Sequence, residues 1–169
     1  IMMSHIVHTY FAGLTTSFDQ FFPTFILFFV ILNAINTERR LKLAIWFIIL
    51  VMCLLVFQGI SQMKTGFGWA GQMITSQSDG EGGEIWRINW VGIFNDPNDL
   101  ALMFVIAVGF ILPFIFSKVN FIARLINIAI VGCLGYGIFL TNSRGGQLAL
   151  LATVFFFFVR KTRKFMAGG

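Results

Sequence analysis

Charge is scarce in this chain. Asp, Glu, Lys and Arg make up only 11% of its 169 residues, hydrophobic residues make up 57%, and the mean hydropathy is +0.85. Water-soluble domains carry about 25% charged residues, so a soluble globular fold is excluded and most of the surface must meet lipid. Histidine and cysteine are rarer still, with two of each. Cys53 and Cys133 lie inside apolar runs, which leaves no disulfide framework and no metal-ligand spacing. His5 and His8 have no acidic partner nearby and are not read as catalytic. No Ser-His-Asp set, CxxC pair, P-loop or dinucleotide fingerprint occurs. Neither a metal nor a cofactor is therefore expected, and the chain offers no catalytic residue of its own. The net charge of +5 would point to nucleic acid in a soluble protein, but in a membrane protein its distribution matters more than its sum. No nucleic-acid partner is expected.

What the chain does have is length of hydrophobic run. A helix needs ~20 mostly apolar residues to cross ~30 Å of hydrocarbon, and five segments approach this, near 18–35, 43–60, 100–116, 123–140 and 146–159. Lipid offers no partner to exposed backbone N–H and C=O groups, so these must be helices. The expected fold is all-α: a polytopic membrane protein of about five transmembrane helices, forming a single transmembrane region over 1–169. One long connection, 62–96, mixes Gly, Ser and acidic residues with Phe67, Trp69, Trp86 and Trp90. Tryptophan favours the headgroup level, so this loop is expected to lie along the membrane surface, with SQSDGEGG as its mobile tip.

The basic residues orient the spans. Arg39, Arg40, Lys42, Lys118, Arg124, Arg160, Lys161, Arg163 and Lys164 are nine of the twelve Lys and Arg, and alternating spans put all nine on one side. The positive-inside rule makes that side cytoplasmic, with the N-terminus outside and the C-terminus inside. The long loop then faces outward, and Lys64, Arg87 and Arg144 are the only cations on its side.

Two polar clusters at the outer ends of spans call for an explanation. In NDPNDLA, Asp96 is a good N-cap ahead of Pro97 at the first helical position, and Asp99 suits the positive end of the helix dipole. A helix start explains the whole cluster, although Asn98 could also face a cavity. In TNSRGGQLALLATVFFFFVRK, the helix from Arg144 to Arg160 rises only ~24 Å at ~1.5 Å per residue, too little to put both guanidinium groups in water. Arg160 has basic neighbours and can reach headgroups, whereas Arg144 stands alone beside Gly145 and Gly146, which leave room for a ligand. A guanidinium at a helix start is a ready anion site, with headgroup snorkelling as the bland alternative. Arg87, between Trp86 and Trp90, reads by itself as part of an interfacial aromatic belt in a loop that can readjust. If the helix starts converge, Arg87 and Arg144 form a clamp for a pyrophosphate.

The stretch RINWVGIFNDPNDLALM, followed by two spans and LTNSRGGQLALLA, resembles the O-antigen ligase and polymerase superfamily of bacterial envelope enzymes. The matching positions are Arg87, Gly92, Asn95, Pro97, Asn98, Leu100 and Ala101, then Ser143, Arg144, Gly145 and Gly146. The resemblance implies a multi-pass glycosyltransferase of the bacterial inner membrane with a GT-C-like fold. Such an enzyme takes a glycan from an undecaprenyl-pyrophosphate carrier and passes it to lipid A-core, polysaccharide or protein in envelope polysaccharide and lipopolysaccharide biosynthesis. It further implies that Arg87 and Arg144 hold the pyrophosphate, with Asn95, Asn98, Ser143 and Gly145 at the helix starts and cavity wall. Family members have about a dozen spans and a later loop bearing a His thought to act as base. No His follows His8 here and the chain starts at Ile1 with no signal-peptide pattern, so it is expected to be a fragment, inactive without the rest of its parent polypeptide. Lipids, the carrier-linked glycan and that remainder are the expected partners. The competing reading is a membrane transport subunit that gathers an anionic solute. Transporters place ionisable residues near the bilayer midplane, however, and the span centres here are nearly free of charge. A third reading is an assembly protein without a ligand.

Overall fold

A computed structural model describes residues 11–78, 80, 82–117 and 119–167. His5 and His8 lie outside the described residues, as do Asp79, Glu81 and Lys118. The chain divides into two compact units, residues 1–44 and 45–169.

The first unit holds helix α1 (Phe11–Ala34) and the opening turns of α2 (Glu38–Thr65). Every described side chain of α1 from Phe21 onward is exposed, and most are Phe, Leu, Ile or Val, as suits contact with lipid. The TERR turn is built by two caps. Thr37 Oγ1 accepts from the Arg40 amide at 3.3 Å and starts α2. The Arg40 guanidinium reaches back, donating to the Ala34 carbonyl at 3.2 Å and Asn36 Oδ1 at 3.0 Å, and satisfies an end carbonyl of α1.

The second unit is organised around α3 (Pro97–Ile115), which buries Leu100, Ala101, Phe104, Val105, Ala107, Val108, Ile111 and Leu112. Its start follows the sequence reading: Asp96 is the N-cap, its carboxylate accepts from the Asn98 amide at 2.8 Å, and Pro97 follows. Pro113 removes one backbone donor near the far end, and the helix stops at Ile115. Helix α4 (Phe121–Leu140), capped by Asn120, packs Leu134 and Ile138 into the core. Helix α5 (Arg144–Ala167) turns Gly146, Ala149, Leu150, Thr153, Val154 and Phe157 inward at i, i+3, i+4 spacing, and exposes Leu148, Leu151, Phe155 and Phe156 on the other side. From α2, Met52, Leu55 and Val56 complete the cluster.

Two glycines let these helices close up. A Cβ on Gly137 of α4 would stand 2.5 Å from a Val56 methyl, and one on Gly146 of α5 would stand 2.6 Å from the Ala101 Cβ.

Each of the five expected spans overlaps one of the five long helices among the described residues. Among the described residues, α2, α3 and α4 are long and apolar enough to cross a membrane, and α1 adds a shorter apolar stretch, Thr24–Ala34. Helix α5 is as long as α1 but has Arg144 and Gln147 in its first turn and Arg160 and Lys161 after a short apolar middle. The long connection departs from expectation. Thr75–Ser78 (β1) pairs antiparallel with Glu84–Arg87 (β2), with Thr75 opposite Arg87 and Ser78 opposite Glu84. Ser76, Gln77 and Ser78 of the expected mobile tip are therefore strand, held by a ladder of backbone bonds.

Candidate functional site

The loop between α2 and α3 is fixed to the helix ends by a polar network that begins inside α2. Gln62 Nε2 donates to Asn89 Oδ1 at 2.6 Å, and the Asn89 amide returns a bond to Gln62 Oε1 at 3.1 Å. Asn89 Nδ2 then donates to Asn95 Oδ1 at 3.2 Å, just before the α3 cap. Gln58, one turn earlier, donates weakly to Gln62 Oε1 at 3.5 Å while its own Oε1 has no partner among the described residues. The closed reciprocal pair between Gln62 and Asn89 sets where β2 leaves the hairpin.

Strand β2 is then joined to the turn between α4 and α5. The Ile88 amide donates to the Leu140 carbonyl at 3.3 Å. Asn142, in the left-handed region at φ 47°, donates from Nδ2 to the Trp86 carbonyl at 3.0 Å. Asparagine tolerates that conformation better than most residues. Thr141 Oγ1 bonds the Ile138 carbonyl at 2.6 Å, and Ser143 Oγ accepts from the Gly146 amide at 3.1 Å, starting α5.

These links bury Arg87, which the sequence read by itself as an interfacial residue. It is only 9% exposed, so it is no part of an aromatic belt. Its Nε donates to the Thr141 carbonyl at 2.8 Å, Nη1 to Gln77 Oε1 at 2.9 Å and Nη2 to Asn98 Oδ1 at 2.8 Å. All three acceptors are neutral. The one ion pair among the described residues is the exposed Lys42–Glu38 contact. A guanidinium has five N–H donors, so two remain, one on each terminal nitrogen. Burying a cation without a counter-ion is costly, and hydrogen bonds to neutral oxygens offset only part of that cost.

Arg87 opens onto a cavity of about 390 Å³ lined by Gln77, Ser78, Ile85, Arg87, Asn98, Asn142, Arg144 and Gly145. Among the described residues that line it there are two cations and no carboxylate. The Arg144 guanidinium is exposed and makes no hydrogen bond or ion pair with any described residue. A volume of this size falls in the range of roughly 300–1,000 Å³ common for small-ligand pockets. Two guanidinium groups lining one cavity can offer several N–H donors to an anion with several oxygens.

Of the six residues expected at the site, Arg87, Arg144, Asn98 and Gly145 meet at the cavity. Ser143 is buried and serves the helix start, and Asn95 stands behind the wall as the acceptor for Asn89. The two glycines after Arg144 have separate roles: Gly145 is open toward the cavity, whereas Gly146 is packed against Ala101. Gln77, Ser78, Ile85 and Asn142 also line the cavity but were not singled out from the sequence. A Gln in a short polar strand carries no local signal, although Asn142 in TNSR was readable as a left-handed turn residue. The same holds for Gln58 and Gln62, an i, i+4 polar pair in an otherwise apolar helix. Among the described residues no group of His, Cys, Asp and Glu is placed to hold a metal. Comparison with family models, curated proteins and solved structures gives no match to this chain.

Proposed function

We propose that this chain is part of a membrane glycosyltransferase of the O-antigen ligase and polymerase type, and that its cavity holds the pyrophosphate of an undecaprenyl-linked glycan. The observation that carries this reading is Arg87: a buried guanidinium with neutral partners among the described residues, two spare N–H donors and a second arginine lining the same cavity. A pyrophosphate offers several anionic oxygens at fixed spacing, which suits two forks better than a single charge would. The leaving group of glycan transfer from a lipid carrier is such a pyrophosphate, and oriented donors at a developing anion lower the barrier to its departure. Six of the eight described wall residues are polar or charged, Ile85 and Gly145 being the others, so the reading assigns the pyrophosphate and adjoining sugar to this cavity and leaves the isoprenoid outside it. The carrier's membrane origin accords with a site at the ends of apolar helices. Within this reading the parent fold is GT-C-like, the enzyme lies in the bacterial inner membrane, and the cavity faces outward while the C-terminus is cytoplasmic.

The test is binding of a short-chain polyprenyl pyrophosphate to the purified chain in nanodiscs, with and without Arg87→Gln. Weak binding that is lost in the variant, with no glycan transfer by the chain alone, is the expected result. Equal binding of a simple monovalent anion would favour the transport reading, and unchanged binding in Arg87→Gln would remove the site. For orientation, a Cys placed at Ser78 should be labelled from outside the cell and one at Thr162 should be spared; the reverse pattern would overturn the outward-facing cavity.

A further inference from the structure

At the opposite end of α3 the second unit has another hollow, with different walls. It measures about 630 Å³ and is lined by Leu112, Ile115, Phe116, Arg124, Ile128, Phe158 and Lys161. Five of these seven residues are apolar, and the two polar ones are both cations. Phe116 stacks on Phe157 at 5.4 Å between centroids and meets Phe158 edge-on at 5.6 Å. Lys161 Nζ sits 3.4 Å from the centre of the Phe116 ring. A lysine at the end of an apolar helix ordinarily extends its ammonium into water. Here the aromatic cluster draws it back over the mouth of the hollow through a cation–π contact.

Neither cation forms an ion pair among the described residues. From Leu100 to Gly169 the sequence contains no Asp or Glu, so α4, α5 and all of α3 beyond Asp99 in its first turn, at the other end of that helix, have no carboxylate to offer Arg124 or Lys161. Nearby, Asn127 on α4 is buried and makes no side-chain hydrogen bond to a described residue. The hollow lies where Ile115 ends one apolar helix and Phe121 begins the next, both long and apolar enough to cross a membrane, and the ends of such helices belong at the level of lipid headgroups.

We propose that this hollow is a binding site for an anionic phospholipid: Arg124 and Lys161 bracket its phosphate, and one acyl chain lies along Leu112, Ile115, Ile128 and Phe158. The apolar walls argue for a lipid over a free phosphate, because a small hydrated anion gains nothing from them. The two cations argue for an anionic lipid over a zwitterionic one, whose own positive headgroup they would oppose. This site is separate from the Arg87 cavity and stands whether or not that cavity takes a pyrophosphate.

Native mass spectrometry of the full chain, released from mixed micelles, tests it. Phosphatidylglycerol should be retained in preference to phosphatidylcholine of the same chain length. Each cation near an anionic surface changes affinity about fivefold, so the Arg124→Gln, Lys161→Gln double variant should lose roughly 30-fold. A charge-matched double variant, Arg39→Gln with Arg160→Gln, should lose little. Phe116→Leu keeps both charges and should lose severalfold, which guards against misinsertion of the double variant. Equal retention of phosphatidylcholine, an equal loss in the charge-matched variant, or full displacement by glycerol phosphate at matched concentration would each overturn the proposal.

Discussion

Arg87 and Lys161 are cations held against neutral partners at opposite ends of α3, and they are held in different ways. Three directional bonds, to one main-chain and two side-chain oxygens, fix the plane and direction of the Arg87 guanidinium. Lys161 rests on the face of a ring, which sets its distance from Phe116 but leaves its three N–H bonds free to rotate. The first arrangement suits a ligand whose shape must be fixed while bonds change. The second suits one that must only stay nearby. The surroundings agree: Gln77, Ser78, Asn98 and Asn142 outnumber Ile85 around the Arg87 cavity, and Leu, Ile and Phe make most of the Lys161 hollow.

The largest expected effect lies in the full-length parent. Arg87→Lys keeps a charge but loses the fork, and glycan transfer should fall by about 100-fold or more, the scale of losing one preorganised donor at a developing anion. Arg144→Lys should cost about tenfold, because a free side chain can be partly replaced by another free cation. From the sequence, Arg144 stands alone at a helix start and Arg87 sits in a loop that can readjust, an expectation that Arg144 is the more sensitive; the opposite order expected here rests on the burial and bonding of Arg87. Rates compared at equal membrane abundance decide it, and equal tolerance of lysine at both positions would erase the contrast between a fixed and a free cation.

The packing that brings α5 to the cavity gives the next effect. Gly146→Ala drives a methyl into Ala101 and should destabilise by about 1–3 kcal/mol through overpacking. Gly145→Ala, whose Cβ meets only Ser143 Oγ at 4.0 Å, should leave the unfolding midpoint in detergent nearly unchanged. Matching losses at the two glycines would place the close approach elsewhere.

Asn89→Ala breaks the closed pair with Gln62 and frees Asn95, and should cost about 1–2 kcal/mol by leaving polar atoms unpaired. Thermal unfolding measures this, and a simultaneous drop in ligand affinity would tie the network to the placement of Arg87. The smallest effect belongs to a third kind of cation. Lys42 pairs with Glu38 at 3.7 Å on an open helix face, and Glu38→Gln should change nothing measurable.

Much of this was legible from local pattern. Hydropathy located the five helices, and NDPND declared its own cap because Asp96, Pro97 and the first turn lie within four residues. The meeting of Arg87 with Arg144 was readable as a conditional, since both precede helix starts. The hairpin was not readable: TSQS is polar, EIWR is short, and neither has the alternation of a half-buried strand. The burial of Arg87 was equally hidden, because the carbonyl that orients its Nε comes from Thr141, 54 residues later. Tryptophans on either side pointed instead to the membrane surface, and Trp86 does stay exposed while its neighbour turns in.

Each of the three links between β2 and the turn after α4 uses a main-chain atom on at least one side. Trp86, Leu140 and Thr141 contribute only carbonyls to them, and Ile88 only its amide. A backbone carbonyl is the same whatever side chain sits beside it. Within these links, then, the position of the Arg87 fork depends on the identities of just two residues, Arg87 itself and Asn142. The residues that give only main-chain atoms can therefore change without breaking these links, while the direction of the fork still rests on the side chains of Gln77 and Asn98.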